Sequence, residues 1–214
     1  MSKSVFFIVF YILFQAVSYA ENKINLSDYF SPTVIKEACD TSQVKFFNTD
    51  EKVFFIWMNL LRMAPQRFLK LIEAEGFLNS NSRYALSLKK DLLNQKPVDK
   101  PFKSNTLLKK INLSHTQYMI KIKDSNHKGY ESRASKVFHS KSFRSGIYGM
   151  DEIVLYTDDT MNPLQMLVCF LIDEGVKDLG HRKSILSRQN NYVGLCIIRN
   201  GADIAITGTL VEVR

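Results

Sequence analysis

The spacing of apolar residues predicts two consecutive helices in the first half of the chain. Asn48 followed by Glu51 has the pattern of a capping box, and apolar residues then recur every three or four positions up to Pro65. Pro65 suits the first position of a second helix, which the pattern continues to Gly76. The stretch 79–104 is lysine-rich and turn-prone, and we expect it to be peripheral.

A third helix is predicted over residues 106–124, where one face is apolar. That face comprises Leu108, Ile111, His115, Tyr118 and Ile122. His115 should therefore point inward, as a satisfied core histidine rather than a site residue. After Gly129 the period is lost, and residues 136–156 predict irregular strand and loop.

The C-terminal half predicts one buried helix and one short one. Asn162-Pro163 has the pattern of an N-cap followed by proline at the first helical position. The residues that follow are apolar on nearly all sides until Gly175, which is typical of a helix buried in a core. A short helix is predicted over 181–186.

The last segment predicts a β-hairpin. Two strand-like runs, 192–199 and 202–213, flank Asn200-Gly201, which is the strongest short hairpin signal. Helices therefore come first, and strands mixed with helices follow. That order predicts an α+β fold in one globular domain.

The first 20 residues have the features of a signal peptide. One cation, Lys3, precedes an apolar run over 5–14, and small residues occupy the outer positions before a cleavage point after Ala20. An uncleaved anchor is the alternative, but the run is shorter than the roughly 20 residues that span a bilayer. We expect a secreted protein, periplasmic in a Gram-negative bacterium, with an N-terminal extension over 21–47 and the domain over 48–214.

Positive charge is concentrated in the middle of a chain whose formal net charge is +8. The lysines concerned are Lys89, Lys90, Lys96, Lys100, Lys103, Lys109, Lys110, Lys121 and Lys123. Such a segment favours anionic surfaces as partners, and a solvated helix and loop face is the alternative. No interleaved aromatic residues or groove-reading motif accompanies the lysines, so nucleic acid is not an expected partner.

Disulfides are not expected to define the fold. The chain has three cysteines, an odd number, so at most one intramolecular disulfide can form. Cys169 and Cys196 lie in strongly apolar runs and are predicted to be buried free thiols.

The side chains that could bind a metal or take part in catalysis lie in the C-terminal half, at His127, Glu152, Asp173-Glu174 and His181. Two imidazoles with carboxylates can hold a divalent metal, zinc most readily, or exchange protons with a bound water. Without a metal, the carboxylates would fix the imidazole tautomers. The spacing alone is a weak signal, because no His-Glu-x-x-His or Cys-x-x-Cys pair is present. His139 lies in a basic run and is predicted to be a surface residue.

Several segments resemble the CAP superfamily of SCP-like extracellular domains, which includes cysteine-rich secretory, antigen 5 and pathogenesis-related 1 proteins. The run 172–186, IDEGVKDLGHRKSIL, resembles the "iDdGv..rgHR.nil" segment of microbial members. Five further segments occur in the family order: Asn59 to Arg62 ("N..R"), His115 to Met119 ("h..dm"), His127-Lys128-Gly129 ("sHtG"), Asp151-Glu152-Ile153 ("gENi") and Tyr192 to Leu195 ("vGvg"). Together they cover roughly residues 50–213.

The resemblance implies an α-β-α sandwich, with an antiparallel sheet flanked by helices and a cavity lined by two histidines and two acids. Those residues would be His127, Glu152, His181 and Asp173, with Glu174 as the substitute for Asp173. Arg182 is a secondary candidate for ligand contact, and a helix-surface role or a salt bridge to Asp178 or Asp173 is the alternative. Asp151 and Ile153 depart from the family's glycine and asparagine, which predicts a differently shaped loop around Glu152.

In function, the resemblance implies an extracellular binding module for a lipid, a sterol or a cell-surface ligand. A divalent metal, Zn²⁺, could be held by His127 and His181. The alternative is a metal- or histidine-dependent hydrolase of peptide or cell-wall material, with His127, Glu152, Asp173 and His181 as the candidate catalytic residues. No Ser or Cys has the surroundings of an activated nucleophile, so a bound water would have to attack.

Overall fold

The structure, a computed structural model, describes residues 24–78, 81–143 and 146–214. The predicted signal peptide lies outside these ranges. Within them, no helix is both long enough and apolar enough to span a membrane.

Over the described residues, the N-terminal half contains the α-helices α1 (Pro32–Ala38), α2 (Thr49–Met63), α3 (Pro65–Ala74) and α4 (Arg83–Asn94). The capping box that begins α2 is confirmed, since the Glu51 amide donates to Asn48 Oδ1 and the Asn48 amide donates to Glu51 Oε2, both at 2.9 Å. Helix α4 corrects the expectation of a turn-rich 79–104 stretch. It buries only Ala85, Leu88 and Leu92, so its apolar face is narrow and the lysines around it hide the helical period.

Helices α5 (Thr106–Ile122) and α6 (Tyr130–Phe138) follow. Helix α5 is as predicted and buries His115, although Ile122 at its end is exposed. Helix α6 contradicts the expectation that the helical pattern is lost after Gly129. Gly129 lies at its N-cap with φ of 77°, and only one narrow face of α6 is buried, which leaves too few apolar residues to reveal the period.

Helices α7 (Pro163–Ile172) and α8 (Gly180–Leu186) confirm the C-terminal predictions. Asn162 caps α7 through a capping box with Gln165, and most residues of α7 are buried. The C-cap of α7 is Asp173, which adopts the left-handed conformation with φ of 56°. That turn reverses the chain so that α8 returns beside the end of α7.

In the described part of the chain, the strands β1 (Ile147–Thr157), β2 (Tyr192–Asn200) and β3 (Asp203–Val213) form an antiparallel sheet in the order β1-β3-β2. Strands β2 and β3 are the predicted hairpin, closed by the pairing of Asn200 with Asp203. The α+β class with an antiparallel sheet and a C-terminal hairpin is therefore confirmed.

Helices cover both faces of the sheet. Alternate residues of β3, including Ile206 and Leu210, join the main core with α2 and α7, whereas Ala205 and Val211 pack on the side of α5 and α6. Helix α5 approaches the sheet closely because Gly194 lacks a side chain, and a Cβ there would lie 2.2 Å from Leu108 Cβ. The result is a three-layered α-β-α arrangement.

The predicted N-terminal extension packs into the same core as the rest of the chain. Ile24, Leu26, Phe30, Val44 and Phe47 are all buried in the main hydrophobic cluster. The three cysteines are free thiols, and Cys196 is buried as predicted, whereas Cys169 is only partly buried. Burial raises the pKa of the Cys39 thiol to about 12.

Candidate functional site

The first histidine of the site is held by a buried carboxylate of the sheet. Glu152 lies on β1, opposite Thr209 of β3, and its side chain is almost fully buried. His127 precedes α6 and its side chain is 51% exposed. His127 Nδ1 lies 3.0 Å from Glu152 Oε1. Because an ionised carboxylate only accepts hydrogen bonds, this contact places the proton on Nδ1.

Arg133 of α6 holds the same carboxylate from the other side. Its Nε donates to Glu152 Oε2 and its Nη2 donates to Glu152 Oε1, both at 2.7 Å, and Nη1 donates to the carbonyl of Lys128. Burial alone would raise the pKa of Glu152, but the hydrogen bonds from His127 and Arg133 and the charge of Arg133 outweigh it. The net pKa of Glu152 lies below its ordinary value, so the carboxylate stays ionised.

The second histidine has its own carboxylate, at the end of α7. His181 Nδ1 lies 2.8 Å from Oδ1 of Asp173, and the backbone amide of Arg182 donates to Oδ2 at 3.2 Å. The left-handed turn at Asp173 brings its side chain beneath the first turn of α8. The ring of Phe170 packs edge-on against His181, with 5.2 Å between centroids.

The two imidazoles face one open cleft of about 510 Å³. Their ring centroids are 6.5 Å apart, with the ring planes inclined at 31°. The lining residues are Ser125, Asn126, His127, Tyr130, Asp151, Glu152, Val154, Val176, Asp178, Gly180, His181 and Ser184. Since each Nδ1 is held by a carboxylate, each Nε2 is the ring nitrogen left for a ligand.

Asp173, rather than Glu174, is the acid of the site. Asp173 is 2% exposed and bound to His181. Neither carboxylate lines the cleft itself, but Glu174 is exposed, because the chain turns outward at the residue after Asp173, whereas Asp173 holds the imidazole of His181 from behind. The choice between two adjacent acids therefore follows from the backbone turn that ends α7.

Arg182 is a buried structural residue and not a ligand contact, which corrects its candidacy. Its guanidinium, 1% exposed, points away from the cleft toward α4. It donates to Asp91 Oδ2 at 2.9 Å and also to Ser87 Oγ and to the carbonyls of Tyr84, Leu171 and Ile172. The side chain does not form a salt bridge with Asp178 or Asp173; it joins α4 to the end of α7.

The other two histidines lie outside the cleft, as the sequence predicted. His115 is 4% exposed, and its Nε2 lies 2.7 Å from the carbonyl of Asn126, a lining residue. Burial is the main reason that its pKa is lowered. His139 is exposed at the end of α6, where its Nδ1 lies 2.8 Å from the Ser135 carbonyl.

Sequence reasoning missed Arg133, Asp151 and Asn190. Asp151 lines the cleft and accepts a hydrogen bond from Asn190 Nδ2 at 3.0 Å. It lies in regular β1 pairing, so the departures from the family pattern at Asp151 and Ile153 fall within a strand and not in a loop. A correct prediction of α6 would have placed Arg133 one turn from the start of that helix. The contact between Arg133 and Glu152, however, depends on how α6 packs against β1.

The donor set fits a zinc ion only in part. Both carboxylates bind the imidazoles, in the manner of groups that orient metal-ligating histidines, so two Nε2 atoms are the protein nitrogens on offer. Catalytic zinc sites ordinarily have about three protein ligands. Over the described ranges, no group of three or more His, Cys, Asp or Glu side chains has the geometry to hold a metal.

Comparisons with known proteins found a distant structural similarity. No family model matches the chain, and no curated protein matches it. Among solved structures, it is similar to an outer surface protein from Borrelia burgdorferi, with a TM-score of 0.42 and 12% identity, over 68% of this chain and 92% of that one. A similarity of this degree supports no argument about function.

Proposed function

We propose that the chain is an exported binding module of the CAP type, whose ligand binds in the cleft between His127 and His181. The signal-peptide pattern of the first 20 residues supports export. The six motifs in family order support the CAP assignment. The observation that carries the proposal is the convergence of two carboxylate-held imidazoles on one open cleft.

The cleft is rich in hydrogen-bond acceptors. With the proton on Nδ1, a neutral imidazole presents Nε2 as an acceptor, and Asp151 and Asp178 add carboxylate oxygens. Val154 and Val176 are the aliphatic side chains among the lining residues. Such a surface suits a ligand with several hydroxyl or ammonium donors. The chemistry therefore favours a glycan-like cell-surface ligand over a lipid or a sterol.

A histidine-dependent hydrolase is the second candidate, and the same geometry favours it. A carboxylate that holds Nδ1–H raises the ability of Nε2 to take a proton from water. Ser125 and Ser184 line the cleft, but neither is hydrogen-bonded to either imidazole, so a bound water would be the nucleophile. His181 is the better base, because its ring is held by both Asp173 and the Phe170 contact.

The test uses the protein without residues 1–20 and three probes: chito-oligosaccharides, their deacetylated amine forms, and phosphatidylcholine–cholesterol vesicles. Titration calorimetry should show binding to one of the two saccharides. The variant H127A/H181A should weaken that binding by about tenfold or more, because it removes both Nε2 acceptors. The control is H139A, which removes an exposed histidine outside the cleft and should leave binding unchanged.

Two results would overturn the proposal. The first is binding to the vesicles alone, undiminished in H127A/H181A. The second is release of new reducing ends from the saccharides that is lost in H181A, which would replace the binding module with the hydrolase.

A further inference from the structure

A second feature of the molecule is a buried cation without a counter-charge among the described residues. Arg62 of α2 is 4% exposed, and its guanidinium lies 3.6 Å from the centroid of the Phe102 ring. Nη2 donates to the carbonyls of Ser187 and Asn190, at 3.0 and 2.6 Å. Within the described part of the chain, Nε and Nη1 have no hydrogen-bond partner and no carboxylate pairs with the side chain.

Buried charges in proteins are ordinarily paired, because loss of water around a cation costs several kcal/mol. This cost acts on Arg62, where burial lowers the pKa of the guanidinium to about 10. The Phe102 ring and two carbonyls offset part of the cost by cation–π and dipole interactions. A negative charge nearby would stabilise this arrangement further.

Arg62 forms part of the wall of a cavity of about 550 Å³. The cavity lies between the segment before α5 and the loop before β2, and it shares no lining residue with the histidine cleft. Lys100, Lys103 and Arg188 line it and are exposed, and Asp99 is the acid among its lining residues. The described residues that line the cavity therefore include four cationic side chains and one carboxylate.

The lysines of the middle segment of the chain differ in their surroundings. Lys89, Lys109 and Lys123 are ion-paired with carboxylates of neighbouring elements. Lys100 and Lys103, by contrast, line the cavity that Arg62 faces. These two lysines are therefore the members of the segment that line a concave site.

We propose that this cavity binds a tetrahedral oxyanion, either a phosphate or a sulfate group. Lys100, Lys103 and Arg188 contact its oxygens, since charge-assisted hydrogen bonds from such cations suit phosphate and sulfate. Arg62 acts from beneath: its unpartnered N–H groups are covered from solvent, and its charge supplies an attractive field where screening by water is weak. Asp99 opposes the bound anion.

The experiment titrates the protein without residues 1–20 with inorganic phosphate and with sulfate, against sodium chloride at equal ionic strength. Chemical-shift changes of residues 98–103 and 188–191 are the readout. K100Q/K103Q should weaken binding by about tenfold, whereas K110Q/K121Q, a matched pair of lysines outside the cavity, should change it less than about twofold. D99N should strengthen binding, an outcome that destabilisation of the fold would not produce.

Equal weakening by the two lysine pairs, or shifts no larger than those with chloride, would overturn the proposal. H127A/H181A should bind phosphate as the unchanged protein does, which separates this site from the histidine cleft. Vesicles that carry phosphatidic acid distinguish the source of the anion. If K100Q/K103Q weakens vesicle binding too, the site accepts a lipid headgroup; if only the free ions depend on these lysines, the ligand is soluble.

Discussion

Each half of the histidine cleft pairs an imidazole with a buried carboxylate, His127 with Glu152 in the first half and His181 with Asp173 in the second. The two carboxylates are stabilised differently. Glu152 is neutralised by a bidentate arginine, and its histidine is half exposed. Asp173 is bound by His181 and by a backbone amide, with a phenylalanine packed against the imidazole. In the first half the carboxylate depends on Arg133, and in the second it depends on the histidine itself.

In the first half, Arg133 holds the carboxylate and the imidazole is left to contact a ligand. In the second half, one imidazole does both. Because Glu152 keeps two hydrogen bonds from Arg133 without His127, we expect the half-exposed His127 to adjust to a ligand more readily than His181. His181 is part of the local packing, and its side chain is 20% exposed. A ligand in the cleft would thus meet one adaptable and one rigid imidazole.

The largest expected effect comes from removing the arginine clamp. Arg133→Met leaves Glu152 buried beside no cation and should lower the free energy of unfolding by about 3–5 kcal/mol. Urea denaturation followed by circular dichroism measures it. R133M/E152Q should recover much of the loss, because the buried charge is then gone. A loss below about 1 kcal/mol for Arg133→Met would contradict the clamp.

Removing the second histidine should have an intermediate effect. His181→Ala leaves Asp173 Oδ1 without its donor and exposes the Phe170 contact, so we expect a loss of about 1–3 kcal/mol. The same denaturation experiment applies. A loss no larger than that of His127→Ala would show that Asp173 does not depend on its histidine.

Low pH should destabilise the protein through Glu152, in the first half of the histidine cleft. Its pKa is lower in the folded than in the unfolded chain, so its stabilising contribution is present above the unfolded pKa of about 4.3 and is lost as pH falls through the folded pKa. Urea midpoints between pH 7 and 3 should fall less steeply for R133M/E152Q, and parallel curves would exclude Glu152 as a source of the acid dependence.

The smallest expected effect is that of His127→Ala. Glu152 keeps both hydrogen bonds from Arg133, and the imidazole is largely exposed, so stability should change by no more than about 0.5 kcal/mol. Denaturation curves that overlay those of the unchanged protein would confirm it. A loss above about 1.5 kcal/mol would mean that His127, like His181, is part of the packing.

Local sequence was sufficient for elements whose signals are strong and short-ranged. The Asn48–Glu51 capping box, the Pro65 helix start, the all-apolar α7 and the Asn200-Gly201 hairpin each depend on residues within one or two turns. Helices α4 and α6 were missed for the opposite reason. Each buries a narrow face on neighbouring elements, and tertiary packing rather than a wide apolar stripe stabilises it.

The sequence by itself determined the α+β class, the two histidines of the cleft, and the exclusion of His115 and His139 from it. The resemblance placed Asp173 ahead of Glu174, and the tertiary structure gives the physical reason, because the left-handed turn at Asp173 buries one carboxylate and exposes the next. The tertiary structure also turned Arg182 inward, brought Arg133 onto Glu152, and left Arg62 buried without a counter-charge among the described residues. These outcomes depend on contacts between residues distant in the chain, and periodicity along a sequence carries no information about such contacts.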